Sequence, residues 1–171
     1  VIDCEERCLA PGLIDMRVQL REPGEEHKET IETASRAAAA GGVTTMVALP
    51  NTTPVIDDVS VVEFMHRRAN ETGAVKVRCY GSVTRGTKGE QLTEMGLLAE
   101  AGAVAFTDGT RAVSDTMVMR RALSYARSFD LMVVQHPEDP KLANGGAMNE
   151  GEIASRLGLG GIPAAAEVIM V

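Results

Sequence analysis

Residues 13–49, which read LIDMRVQLREPGEEHKETIETASRAAAAGGVTTMVAL, decide the fold. Two apolar runs, LIDMRV at 13–18 and TTMVAL at 44–49, have the length of buried strands. Between them the Ala-rich residues 28–42 predict a helix that ends at its two closing glycines. A strand, a helix and a second strand in this order predict a parallel β-α-β unit with a right-handed crossover.

The same alternation continues along the chain. We predict a helix over 60–73 with Ser60 as its N-cap and Gly73 at its end, and then strands over 76–83, 104–107 and 131–136 separated by helices over 90–102 and 114–129. This order is typical of an open doubly wound sheet or of part of an eight-stranded barrel. No GxGxxG follows the first strand, which disfavours a dinucleotide-binding sheet.

Composition limits the classes of function. The formal net charge of -7 gives a nucleic-acid partner no electrostatic support. No apolar run reaches the roughly 18 residues of a membrane span, and the three cysteines have no CxxC spacing, so we expect a cytoplasmic protein with free thiols. Residues 1–10 read like the end of a preceding small β domain, and the apolar run AAAEVIMV at 164–171 predicts that the chain is a fragment.

Polar residues follow every predicted strand. Chemistry in parallel α/β folds is located where strands end, so these residues are the candidate site. Each has an ordinary explanation as turn chemistry, but together they predict one functional edge. Arg17 and Gln19 lie two apart on the first strand and therefore share a face. The other strand-end residues are Arg21, Pro50, Asn51, Thr84, Arg85, Thr107, Asp108, Gln135, His136, Glu138 and Asp139.

Four stretches carry a resemblance to a known family. They are PGLIDMRVQLREPGEEHKETIETASRAAAAGGVTTMVALPNTTPVID at 11–57, GAVAFTDG at 102–109, VVQHPEDPKLANGGAMNEGE at 133–152 and LGLGGIPAAAE at 157–167. In this order they resemble dihydroorotases of the amidohydrolase superfamily. The resemblance implies a distorted (β/α)8 TIM-like barrel, with residues 11–171 as its first half. It also implies zinc as cofactor and the opening and closing of the dihydroorotate ring in pyrimidine biosynthesis.

The resemblance assigns roles to individual residues. Arg21 and Asn51 stand where the family binds the substrate carboxylate of dihydroorotate or carbamoyl aspartate. His136 stands at the zinc ligand after the fifth strand, and Asp108 is the candidate ligand after the fourth. The family commonly carries two consecutive Asp before Gly in that segment, whereas here only Asp108 precedes Gly109.

Arg17 and Gln19 occupy the positions of the family's paired zinc-binding histidines. A guanidinium has no lone pair to donate and stays protonated, and an amide oxygen is a weak zinc ligand. A fixed positive charge at about 4 Å from a divalent cation adds several kcal/mol of repulsion at an effective dielectric near 20. We therefore expect this metal position to be lost, with no zinc or one partially bound ion, no catalytic residue in this segment, and Arg17 paired with Asp108 or a neighbouring carboxylate instead.

Two hypotheses follow. The first is a non-catalytic dihydroorotase-like protein that serves as a structural subunit, is homo-oligomeric and has aspartate transcarbamoylase as its natural partner. The second is an active cyclic amidohydrolase with a reduced metal site held by His136. A hydantoinase or allantoinase relative is a third and weaker alternative, because Arg21 and Asn51 match the dihydroorotate carboxylate clamp.

Overall fold

Parallel β-structure forms the centre of the molecule. In a computed structural model that describes Glu5 and residues 8–171, strands β1 (Leu13–Val18), β2 (Val43–Ala48) and β3 (Lys76–Cys79) form a parallel sheet in chain order. Ala48 pairs with both Val18 and Cys79, so the three strands end level with one another. The predicted β domain end at residues 1–10 lies largely outside the described residues.

Two more chain segments extend this sheet. Residues 104–107, called here the Phe106 segment, pair in parallel with Gly81, and residues 131–136, the Val133 segment, pair in parallel with Phe106. The prediction of full strands there is wrong in extent, since each pairing is an isolated bridge. The backbone of Phe106 nevertheless bonds to Met132 and Val134, so the Val133 segment is held in parallel beside it.

Helices connect the successive parallel segments. They are α1 (Ile31–Ala40), α2 (Val59–Thr72), α3 (Met95–Glu100) and α4 (Thr116–Ser128). Thr30 caps α1, and Gly41 ends it as predicted. The predicted Ser60 N-cap of α2 is wrong, because the Asp58 side chain accepts the Ser60 N–H and the helix begins one residue earlier.

Two apolar layers lie on opposite faces of the sheet. Met46 and Ala48 belong to the larger cluster, which the strands form with the helices. Val47, Leu49 and Tyr80 belong to a smaller cluster on the other face, together with Ala105. This alternation follows from the two-residue period of a strand. The face that carries the smaller cluster continues past the ends of β2 and β3, because Leu49 and Tyr80 are the residues that follow those strands.

Short elements make up the rest of the chain. A 3₁₀ turn spans Arg85–Thr87, and after the Val133 segment come α5 (Pro140–Ala143), β4 (Met148–Asn149), α6 (Glu152–Leu157), β5 (Gly161–Ile162) and α7 (Ala165–Val168). Strands β4 and β5 pair in parallel as a separate two-stranded sheet. Among the helices described, none has the length and apolar character needed to cross a lipid bilayer.

Candidate functional site

A cavity of about 250 Å³ opens at the carboxyl ends of the parallel segments, and we call it the Arg17–His136 cavity. It brings together side chains that are far apart in the sequence, from the ends of β1 and of the Val133 segment. Gln19 is half-buried and is not part of the lining. The cavity is lined by Met16, Arg17, Leu49, Tyr80, Thr107, Gly109, Val134, Gln135, His136 and Pro137.

A second cavity of about 270 Å³, the Asn51–Asp108 cavity, lies at the same edge. Its lining includes Asn51, Asp108 and Arg111, and none of these three lines the first cavity. A side chain on Gly109 would approach Asn51 at 3.5 Å, which places this loop directly against the end of β2. The two predicted metal ligands, Asp108 and His136, therefore line different cavities.

Asp108 accepts three hydrogen bonds from the loop after β3. Its Oδ1 accepts the backbone N–H groups of Val83 and Thr84 at 2.9 Å each, and its Oδ2 accepts the Thr84 hydroxyl. Burial raises the pKa of the Asp108 carboxyl above its ordinary value, while the bonds from Thr84 and Val83 and the charge of Arg111 act in the opposite direction. Contrary to expectation, Arg17 forms no ion pair with Asp108 or with another carboxylate of the described residues.

Arg21 is also engaged by a neighbour. Its Nη1 donates to Glu25 Oε2 at 3.0 Å, and Glu25 pairs with Lys28 as well. The hydrogen bond and charge of Lys28, together with the charge and hydrogen bond of Arg21, lower the pKa of the Glu25 carboxyl. In contrast, no carboxylate of the described residues forms an ion pair with Arg17, so Arg17 is the guanidinium available at the cavity.

The residues after β1 and β2 interlock beside the site. The Thr53 N–H donates to the Pro23 carbonyl at 3.0 Å. Gly24 has φ of 102°, and any side chain on it would collide with the Thr53 carbonyl. The buried Glu22 accepts the Ile31 N–H at 2.8 Å and the Arg68 guanidinium at 2.8 Å. The motifs REPG and NTTP thus hold the two loops and the start of α1 together.

Comparisons with known proteins identify the family to which this chain belongs. A family model described as "Dihydro-orotase-like" matches residues 6–171. The chain belongs to the dihydroorotase-like family. It is 54% identical over 171 residues to a dihydroorotase of Syntrophobacter fumaroxidans and 52% identical over 170 residues to one of Wolbachia sp. subsp. Drosophila simulans. These matches take in 100% and 99% of this chain but 39% and 38% of those proteins, so the chain spans about two-fifths of their length.

Solved structures support the barrel fold. An L-hydantoinase (dihydropyrimidinase) from Arthrobacter aurescens has a TM-score of 0.67 at 20% identity, with 79% of this chain and 31% of that chain covered. A Saccharomyces cerevisiae dihydroorotase in complex with 5-fluoroorotic acid has a TM-score of 0.55 at 15% identity, with 76% and 37% covered. The predicted fold, an N-terminal portion of an amidohydrolase-type TIM barrel, is therefore confirmed.

Amidohydrolases are generally metal-dependent, and the donor set here does not fit a two-zinc centre. Arg17 and Gln19 offer a cation and an amide at the end of β1, while zinc requires neutral imidazole, thiolate or carboxylate ligands. Asp108, the candidate ligand after the Phe106 segment, lines a different cavity from His136. Within the described ranges, His, Cys, Asp and Glu side chains form no group of three or more that could hold a metal ion.

Sequence reasoning missed two residues of this dihydroorotase-like site. The first is Tyr80, which is 3% exposed and lines the Arg17–His136 cavity. The second is Glu22, which together with Asp108 makes up the buried acids of the described residues. The two-residue period of the strands could have identified Tyr80. Ala48 pairs with Cys79, so Tyr80 follows β3 as Leu49 follows β2 and lies on the same face of the sheet. Nothing in the sequence marks Glu22 as buried. The roles of Arg21 and Asn51 as substrate ligands stay predictions.

Proposed function

We propose that this chain is the first half of the barrel of a dihydroorotase-like protein of pyrimidine biosynthesis that lacks the metal-bridged hydrolytic centre. The observation that carries the proposal is the pair Arg17 and Gln19 at the end of β1, combined with an Asp108 carboxylate that is bound by the β3 loop. Such a site has no Lewis acid to polarise the ring carbonyl and no metal to lower the pKa of a water.

On this proposal the protein acts as a cytoplasmic structural subunit. The barrel is kept, since the loop contacts of Glu22 and Gly24 are independent of a metal. Aspartate transcarbamoylase and a second copy of the protein are the proposed partners, and dihydroorotate or carbamoyl aspartate is the proposed ligand.

The first test measures zinc content and turnover in the protein at the full length that its gene encodes. We expect less than one zinc per chain and no interconversion of dihydroorotate and carbamoyl aspartate. The double change Arg17→His and Gln19→His should raise zinc content, because it restores two imidazoles in place of a cation and an amide. The matched control is Arg36→His on the exposed side of α1, which should leave zinc content unchanged. A double variant with unaltered zinc would contradict the proposal.

One alternative has an observation in its favour. His136 is half-buried and faces the Arg17–His136 cavity, so an active amidohydrolase with a reduced site would hold its metal there. This alternative predicts metal-dependent turnover in the unmodified protein that His136→Ala abolishes. The absence of turnover in both proteins, with zinc below one per chain, would exclude it.

A further inference from the structure

Arg21 has a strained backbone conformation. Its φ is 61°, in the left-handed region, which residues other than glycine seldom occupy because the Cβ atom crowds the following carbonyl oxygen. Such a conformation persists only where the surrounding structure fixes the chain. Leu20 before it is fully buried, and Glu22 after it is 4% exposed. The strain at Arg21 is therefore maintained by two anchored neighbours.

Glu22 is anchored through both of its carboxylate oxygens. Oε2 accepts the Ile31 N–H at 2.8 Å, and Oε1 accepts the Arg68 Nε–H at 2.8 Å. Arg68 belongs to α2, and its Nη1 also donates to Glu71 at 2.9 Å, so its guanidinium is itself held in place. Arg68 thus supplies the positive charge that a buried carboxylate needs to offset its lost solvation.

The Arg21 side chain, in contrast, is accessible. It is 34% exposed, and its Nη1 donates to Glu25 Oε2 at 3.0 Å. A guanidinium carries several N–H donors in one plane, so this contact leaves Arg21 donors with which to bind a ligand carboxylate. The turn therefore combines a fixed backbone with a guanidinium that a ligand can reach.

We propose that Arg68 is a positioning residue, which through Glu22 holds Arg21 in the left-handed conformation that orients its guanidinium for the ligand carboxylate. Without the Arg68 guanidinium, the Glu22 carboxylate would lose its charged partner and would move toward solvent. The peptide unit between Arg21 and Glu22 could then relax, and Arg21 would leave the left-handed region. This inference rests on the proposed role of Arg21 in ligand binding. Zinc content and turnover do not enter its test, so it and the proposed loss of the metal centre fail separately.

The first experiment measures carboxylate discrimination in the full-length protein by ligand-observed NMR titration. Discrimination is the Kd of dihydrouracil, which is the dihydroorotate ring without its carboxylate, divided by the Kd of dihydroorotate. We expect Arg68→Met to lower this ratio by at least about fivefold, because a displaced guanidinium loses much of a charged hydrogen bond. Arg68→Lys keeps a positive charge beside Glu22 and should restore most of the ratio. A general loss of folded protein would weaken both ligands equally and leave the ratio unchanged.

The second experiment tests the strain without a ligand. Arg21→Gly and Arg21→Ala both remove the guanidinium, but only glycine adopts a φ of 61° without strain. Arg21→Gly should therefore have a higher Tm than Arg21→Ala. The difference should shrink when Arg68→Met is added to both, because position 21 can then relax.

The matched control is Arg67→Met, which removes the adjacent exposed arginine of α2, in contact with the Phe64 ring. It should leave the ratio and the Tm difference unchanged. The proposal is overturned if Arg68→Met discriminates like the unmodified protein, if Arg67→Met lowers the ratio as much, or if Arg21→Gly and Arg21→Ala melt at the same temperature. An unmodified protein that does not distinguish dihydroorotate from dihydrouracil would also overturn it, since Arg21 would then bind no ligand carboxylate.

Discussion

The two buried acids of the described residues, Glu22 and Asp108, bind backbone amides. Glu22 is 4% exposed and bonds to the first N–H of α1, and Asp108 is 3% exposed and bonds to the loop after β3. A buried carboxylate needs partners to offset the loss of solvation, and these residues obtain them from the main chain and from Arg68 or Thr84. Their positions are thus explained by packing without a metal.

The first prediction at this scale concerns Glu22. Glu22→Ala should lower the free energy of unfolding by about 2–4 kcal/mol, because it leaves the Ile31 N–H and the partly buried Arg68 without their acceptor. Urea unfolding at neutral pH measures the change. Glu32→Ala is the control, since Glu32 is exposed and its pairing with Arg36 on α1 is worth at most about 0.5 kcal/mol. Equal losses in the two variants would show that burial of Glu22 is unimportant.

Among the helices, α2 begins at an N-cap residue, Asp58, whose side chain fixes the start of the helix. Asp58 has an extended backbone, and its carboxylate accepts the Ser60 N–H at 2.9 Å and the Ser60 hydroxyl at 2.6 Å. These hydrogen bonds lower the pKa of the Asp58 carboxyl. A lowered pKa means that the folded state favours the charged form. The stabilisation is therefore complete above the ordinary Asp pKa and is lost as the pH falls through the lowered value.

We predict that Asp58→Ala lowers the free energy of unfolding at neutral pH by about 0.5–2 kcal/mol, the usual cost of losing an N-cap. The loss should shrink as the pH falls below the ordinary Asp pKa, because the carboxylate cap is then protonated in the parent protein as well. Asp58→Asn keeps a neutral cap, so its stability should vary less with pH. A loss in Asp58→Ala that is the same at low and neutral pH would contradict this account.

Long periodic elements could be predicted from the sequence, and short ones could not. β1 agrees residue for residue with the prediction, and α1, α2 and α4 agree within three residues at each end. The helix predicted over 90–102 is shortened to Met95–Glu100, and β4 and β5 are two residues each, too short to have a period.

For the site, the rule that functional residues follow strand ends correctly brought Arg17 and His136 to one cavity. The separation of Asp108 from His136 depends on backbone bonds that leave no trace in residue spacing.

At the scale of the whole molecule, the sheet has two apolar borders. On β1 the side chains of Leu13, Ile14 and Met16 are 64%, 63% and 57% exposed, and on the Val133 segment Met132 is 62% exposed. Strand borders with exposed apolar side chains tend to pair with other chains. Within the described residues, neither β1 nor the Val133 segment has a strand on its outer side.

We therefore predict that a polypeptide of residues 8–171 alone self-associates at micromolar concentration. Ile14→Lys should shift it toward monomer, since a charge on the exposed border opposes pairing. Sedimentation velocity measures both results. The control is Leu123→Lys, which places the same charge on an exposed position of α4. A monomeric parent polypeptide, or equal effects of the two lysines, would show that the border of β1 does not drive association.

The contact between Gly24 and Thr53 bears on how such a chain can drift over evolutionary time. A side chain at Gly24 is excluded by the neighbouring carbonyl alone, whatever chemistry the protein performs. Selection for a folded barrel would preserve this glycine and the turn around it whether or not the residues at positions 17 and 19 bind a metal. Gly24 of the REPG sequence therefore testifies to architecture, and its presence alone says nothing about catalysis.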